Sequence, residues 1–220
     1  MRRIRSSPSA RPPRKAGTRG VPRAARERQL LHAAGQVFAR RGYHDASMDD
    51  IAALADVSKP LLYAHFGSKE GLYVAYIDRS GRELEARLVA ASGPSEDRER
   101  RIRAPITEFL AFVEEHRDAW TVLYSSLSSS PSLAEEVGTL RRRIAAAIRR
   151  LLGGERAGDP AGAELAHEAL ADAIVGAGES LANWWLQHPE VPREEVADWF
   201  VSLVDAAATA AARARLPATR

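Results

Sequence analysis

Residues 56–73 read DVSKPLLYAHFGSKEGLY, and they place a proline where a helix should be starting. Ser58 is a good residue to precede a helix, because its hydroxyl can accept from an orphan backbone N–H. Pro60 is tolerated just behind it, since first-turn amides have no intrahelical acceptor and proline's φ is already suitable. Lys59, preceding a proline, is pushed away from helical angles, which sharpens the entry. Leu62 and Phe66 lie four apart and can share an inner face. That leaves Lys59, Tyr63 and His65 outside, with Lys69 just beyond Gly67. All four can donate to an anion.

The flanking sequence supplies partners for this short helix. Pro22 opens a first helix whose apolar residues Leu30, Leu31, Ala34, Val37 and Phe38 recur at helical spacing. Gly42 is expected to stop it. In SMDDIAALADV, residues 47–57, Ser47 and Asp50 form a capped start and Ile51 and Leu54 supply an inner face. That second helix should be about two turns long and end at Asp56, a residue type that tolerates left-handed angles. Ser68 caps a fourth helix running through Leu72 and Tyr76 towards Leu88. Two short helices joined by a tight turn form a helix-turn-helix, whose second helix enters the major groove. Pro60 then fixes where that helix begins, and the outward donors suit phosphate oxygens.

Residues 30–73, LLHAAGQVFARRGYHDASMDDIAALADVSKPLLYAHFGSKEGLY, resemble the N-terminal domain of the TetR family of transcriptional regulators over roughly 23–77. The Phe, Gly-Tyr, Ser, Ile-Ala, Val-Ser-Lys, Leu-Tyr, His-Phe and Ser-Lys-Glu elements occur in order. The resemblance implies phosphate contacts from Ser47, Tyr63, His65 and Lys69, and base-facing positions at Lys59, Pro60, Leu61 and Ala64. Asp56 departs from the family's common turn glycine. Leu61 and Ala64 stand where polar or aromatic residues are frequent, so Leu61 would touch a thymine methyl and DNA shape would carry more of the selectivity.

Composition bounds the rest. The chain has 220 residues, 45% of them hydrophobic, and no cysteine, which rules out disulfides and thiolate metal sites. No run approaches the roughly 18 apolar residues of a membrane span, and the basic N-terminus lacks the apolar stretch of a secretory signal. The reading is a soluble, cytoplasmic protein. The net charge of +3 hides an asymmetry: residues 1–22 hold seven basic residues and no acid, leaving a net of −4 for the remainder. Such an arm is expected to be disordered, either neutralising DNA phosphates or simply solvated. The arginines of the first helix read mostly as a solvated face.

Beyond residue 79 the pattern stays helical. One helix leads to Phe109, Leu110 and Val113, with Pro105 expected to kink it or displace its start. Another is expected over 118–128, a third over 133–152, and two long amphipathic segments follow on either side of Pro192. These last two have apolar surface on more than one side, more than one subunit's core needs. The resemblance implies that they build a homodimer interface, with Ile174, Leu181, Trp185, Phe200, Val204 and Ala207 as candidates. It also implies an effector pocket in the middle helices, for which Phe109, Phe112, His116, Trp120, Tyr124, Asn183 and Trp184 are candidates. A solid aromatic core and wholly intrasubunit helices remain the alternatives.

The expected architecture is therefore all-α. A disordered basic arm (1–22) precedes a three-helix helix-turn-helix DNA-binding domain (23–78, motif about 47–66) and a larger helical effector-binding and dimerisation domain (79–216). The expected partners are double-stranded operator DNA, a second copy of the chain and a small-molecule effector, with no cofactor, metal or membrane. The function implied is a homodimeric repressor released from a pseudopalindromic operator by a small, largely apolar effector. The alternative is a DNA-binding dimer without an effector, acting constitutively or as an activator. Catalysis is not expected: the six histidines make no H-x-x-x-H arrangement and no Gly-rich phosphate loop is present.

Overall fold

The computed structural model describes residues 22–93, 97–117, 120, 131–153 and 161–213. Among these residues there are eight helices and no strand: α1 (Arg23–Asp45), α2 (Met48–Leu54), α3 (Lys59–Phe66), α4 (Lys69–Ala91), α5 (Arg98–Glu115), α6 (Pro131–Gly153), α7 (Ala161–Leu186) and α8 (Arg193–Arg213). The basic arm, the helix expected over 118–128 and Tyr124 lie outside the described residues, apart from Trp120.

The local rules hold at most of the joints. Gly42 takes φ 73° and interrupts the helical angles of α1, a conformation that glycine adopts without steric cost. The Ser47 hydroxyl accepts from the Asp50 amide at 3.1 Å, and the Ser68 hydroxyl accepts from Gly71 at 2.9 Å. Asp56 sits at φ 53° between α2 and α3. Ser58 departs from expectation, because its side chain caps nothing. Pro60 has no N–H to offer, and the Leu61 amide donates to the Ser58 backbone carbonyl at 3.0 Å instead. Pro105 does not displace the start of α5. It removes one donor from the ladder, yet α5 starts well before it and runs on to Glu115.

Two buried clusters follow. The first gathers Leu30, Leu31, Ala34 and Phe38 of α1, Met48 and Ile51 of α2, Leu62 of α3, and Leu72, Tyr73 and Ile77 of α4. Phe38 meets Tyr73 edge-on with ring centroids 4.8 Å apart, a favoured aromatic geometry. The second cluster joins Ile106, Leu110 and Val113 of α5 to Ala182 and Trp185 of α7 and to Val196, Phe200 and Val204 of α8. Helix α4 runs unbroken from the first cluster towards the second. At Gly81 a side chain would bring a Cβ within 2.8 Å of Leu140, so the missing side chain lets α6 lie close against α4. Arg87 then ties α4 to α5, reaching Glu115 at 2.8 Å and Glu108 at 3.4 Å. Its hydrogen bond holds the Glu115 carboxyl below the usual glutamate range.

One side chain closes the first cluster. The Lys69 ammonium, on the first residue of α4, donates to the carbonyls of Tyr43 (2.8 Å), His44 (3.0 Å) and Ala46 (3.1 Å), and lies 4.7 Å from the Tyr43 ring centroid. These carbonyls are at the end of α1, where the helix presents unpaired acceptors and partial negative charge. Lys69→Met keeps the stem and removes the charge. It is expected to lower stability by about 1–3 kcal/mol, the scale of hydrogen bonds to a charged group. A thermal melt superimposable on that of the unaltered protein would show that the carbonyls do not need this ammonium.

Candidate nucleic-acid interface

The interface is built on the turn between α2 and α3. The Val57 amide donates to the Ala52 carbonyl at 3.0 Å and the Asp56 amide to Ala53 at 3.3 Å, which closes the turn while Asp56 supplies the left-handed residue. Leu62 is fully buried and fixes the rotation of α3. With Leu62 inward, Lys59, Pro60, Tyr63 and Ala64 are exposed along one side, while Leu61 and His65 are half-buried at its margins. Tyr63 stands 44% exposed, so its hydroxyl is free to reach outward. The His65 ring lies beside Phe66, with centroids 5.9 Å apart.

Three of the expected DNA contacts are already engaged within the chain. Lys69 has three ammonium donors and three internal carbonyls, so its role here is to cap α1. The Ser47 hydroxyl donates to Asp50 Oδ2 at 2.6 Å while accepting from the Asp50 amide; its proton is turned away from solvent. Lys59 Nζ lies 2.8 Å from Asp49 Oδ2, both side chains being largely exposed. That hydrogen bond, with the Asp49 charge, raises the Lys59 pKa above its ordinary value.

Sequence reasoning passed over the acids of α2 as binding partners. Asp50 also accepts from Arg41 of α1 at 2.7 Å, so the first turn of α2 holds one cation on each side, Arg41 and Lys59. Arg40, Arg41, Asp50, Val37 and Leu54 line a cavity of about 260 Å³ beside this turn. The available signal was the Asp49-Asp50 pair itself, of which the sequence reading used only Asp50, as part of the capped start.

The other two candidate sets divide. Phe109 meets Trp120 edge-on at 5.5 Å, and the Trp120 indole N–H donates to Asn183 Oδ1 at 2.9 Å. These three come together between α5 and α7. Phe112 and His116 face α4 instead, their rings 4.4 Å apart and the Arg87 guanidinium 5.6 Å from the Phe112 centroid. Trp184 does not line an interior site. It is 38% exposed, stacks on His188 at 4.1 Å and lies 5.9 Å from Trp199.

Of the expected interface residues, Trp185, Phe200 and Val204 are buried inside the subunit, and the Trp185 indole donates to the Val191 carbonyl at 2.9 Å. They belong to the core: α8 packs on α5, α7 lies against α6 and α8, and the inner residues of α7 and α8 meet those of α5 in the second cluster. Ile174, Leu181 and Ala207 are half-buried. The outward stripe carries other residues. Leu165, Ala169, Ala173, Gly176 and Trp184 of α7 are exposed at helical spacing, as are Trp199, Leu203 and Ala206 of α8. Leu165 is 63% exposed, Leu203 53% and Trp199 45%.

Comparison with known proteins matches this geometry. Residues 30–76 fit the family model described as bacterial regulatory proteins, tetR family. Residues 99–207 fit the tetracyclin repressor-like C-terminal domain. The HTH-type transcriptional activator FasR of Mycolicibacterium smegmatis is 34% identical over 171 residues, 76% of this chain and 75% of that protein. The HTH-type transcriptional regulator EthR of Mycobacterium tuberculosis is 28% identical over 182 residues, covering 81% and 84%. A solved TetR-family regulator from Streptomyces coelicolor superposes with a TM-score of 0.74 at 26% identity, covering 88% of this chain and 84% of that one. A TetR-like regulator from Rhodococcus sp. RHA1 gives 0.66 at 34% identity, covering 84% and 96%.

Tyr63→Phe removes one exposed hydroxyl and leaves the ring. It is expected to weaken binding to any duplex by roughly two- to tenfold, the scale of one hydrogen bond, with the melting temperature unchanged. Unaltered anisotropy titrations would take the phosphate contact away from this position.

Proposed function

The chain belongs to the TetR family of bacterial regulatory proteins and is a DNA-binding transcriptional regulator rather than an enzyme; from that premise we propose that it works as a cytoplasmic homodimer on a pseudopalindromic operator and is released by a small, largely apolar effector. The observation that carries the pairing is the outward stripe of α7 and α8. Leu165, Trp184, Trp199 and Leu203 are large apolar residues left exposed on these two helices, Trp184 and Trp199 with ring centroids 5.9 Å apart, and apolar groupings of this kind mark association surfaces. Gly176 and the exposed alanines let a second pair of helices approach closely, as in a four-helix bundle.

Pairing also answers a need on the DNA side. A single α3 reaches only a few base pairs, whereas two related by a twofold axis read half-sites about 34 Å apart. Phosphate contacts from Tyr63 and His65, and base contacts from the exposed side of α3, suit that arrangement. The support for an effector is the aromatic grouping of Phe109 and Trp120 with Asn183, apolar walls with one orienting amide. An effector acts by preferring a conformer whose two α3 helices no longer match the groove spacing. Continuous α4 is the mechanical route between the two regions.

Repression is the sense of control proposed. A second reading, activation, is favoured by the printed name of the 34% identical relative, which is a transcriptional activator. A reporter carrying the upstream intergenic DNA separates the two by the sign of the change on deleting the regulator.

Leu203→Glu places a charge in the middle of the outward stripe, where a partner would have to bury it. Sedimentation velocity is expected to show a dimer for the unaltered protein and a monomer for the variant, with duplex affinity reduced at least tenfold. A variant that sediments as the unaltered dimer moves the interface off this face.

A further inference from the structure

Of the two acids in the first turn of α2, Asp50 is occupied by Ser47 and Arg41. Asp49 caps nothing in the structure. Its carboxylate stands 70% exposed and bonds Lys59, the first residue of α3. A bare carboxylate on a surface meant for a polyanion opposes every phosphate that approaches, whatever the base sequence. Its effect is therefore largest on complexes held by phosphates alone.

Resting on the DNA-binding reading above, we infer that Asp49 is a specificity-determining positioning residue that keeps Lys59 pointed along the groove-facing side of α3 and away from phosphates. Lysine has three donors. One serves Asp49, and two are left for the O6 and N7 acceptors of a guanine edge. At a matching site Lys59 keeps its carboxylate partner and gains the base. At a non-matching site a Lys59 that stays paired brings no net positive charge to a phosphate, and one that leaves Asp49 uncovers a carboxylate that faces the backbone. Selectivity arises as a difference between two affinities, one of them lowered by a built-in repulsion.

The test uses Asp49→Asn in the full chain, with two duplexes of equal length. One is enriched from a random-sequence library by the unaltered protein; the other is a shuffled version. Asp49→Asn is expected to tighten the shuffled duplex roughly two- to fivefold, the scale of an exposed ion pair, and to change the enriched duplex less. On the shuffled duplex the slope of log affinity against log salt should steepen by about 0.9, one more phosphate neutralised. Repeating the substitution on a Lys59→Gln background should abolish the change in slope. Equal shifts on both duplexes, or the same slope change without Lys59, would overturn the inference. An unaltered protein that enriches no duplex at all would instead sink the DNA-binding reading on which it rests.

Discussion

The Lys69 ammonium beneath the end of α1 is the constraint on which the N-terminal half depends. Three carbonyls left over by α1 converge on one cation, and that cation is the first residue of α4. The contact joins elements distant in sequence at the level where the chain turns from α1 into α2. Without it the end of α1 would present unpaired acceptors beside the place where Tyr73 of α4 meets Phe38 and Tyr43 of α1. On that base the buried Leu62 sets which side of α3 is exposed.

A pattern of internal commitment extends across that surface. Lys69, Ser47, Lys59 and Arg41 all have partners within the chain. Such pairs add little stability where they are exposed, but they restrict where each side chain points. Lys69 and Ser47 are thereby used up inside the chain, whereas Lys59 and Arg41 are held at its surface. Tyr63 and His65 have no such hydrogen bond among the described residues, Tyr63 standing exposed and His65 half-buried beside Phe66.

The C-terminal half turns on a choice of faces. Trp184 and Trp185 are neighbours, yet one is stacked on His188 at the surface and the other is sealed in the core with its indole bonded to Val191. Successive residues on a helix point about 100° apart, so one of the two must turn away once α7 is packed. Arg98, Arg103 and Arg193 join α5 to α8 at the rim, bridging to Asp205, Asp198 and Glu114. The outward side of α7 and α8 still carries Leu165, Trp184, Trp199 and Leu203, so each helix has apolar residues on more than the side its neighbours cover.

By itself, the sequence determined the all-α class, the Ser47-capped α2, the turn at Asp56 and the proline-led α3. These depend on neighbours within one or two turns, where capping, φ preference and helical period act directly. Leu62 and Phe66 were legible as the inner side of α3 for the same reason. The tertiary structure alone decided that Lys69 caps α1, that Asp49 holds Lys59, and that Trp185, Phe200 and Val204 face α5 while Trp184, Trp199 and Leu203 face outward. Those assignments join residues far apart in the chain, or choose between two apolar sides of one helix. Local period cannot make that choice, because it records that both sides are apolar and not which one a neighbouring helix has covered.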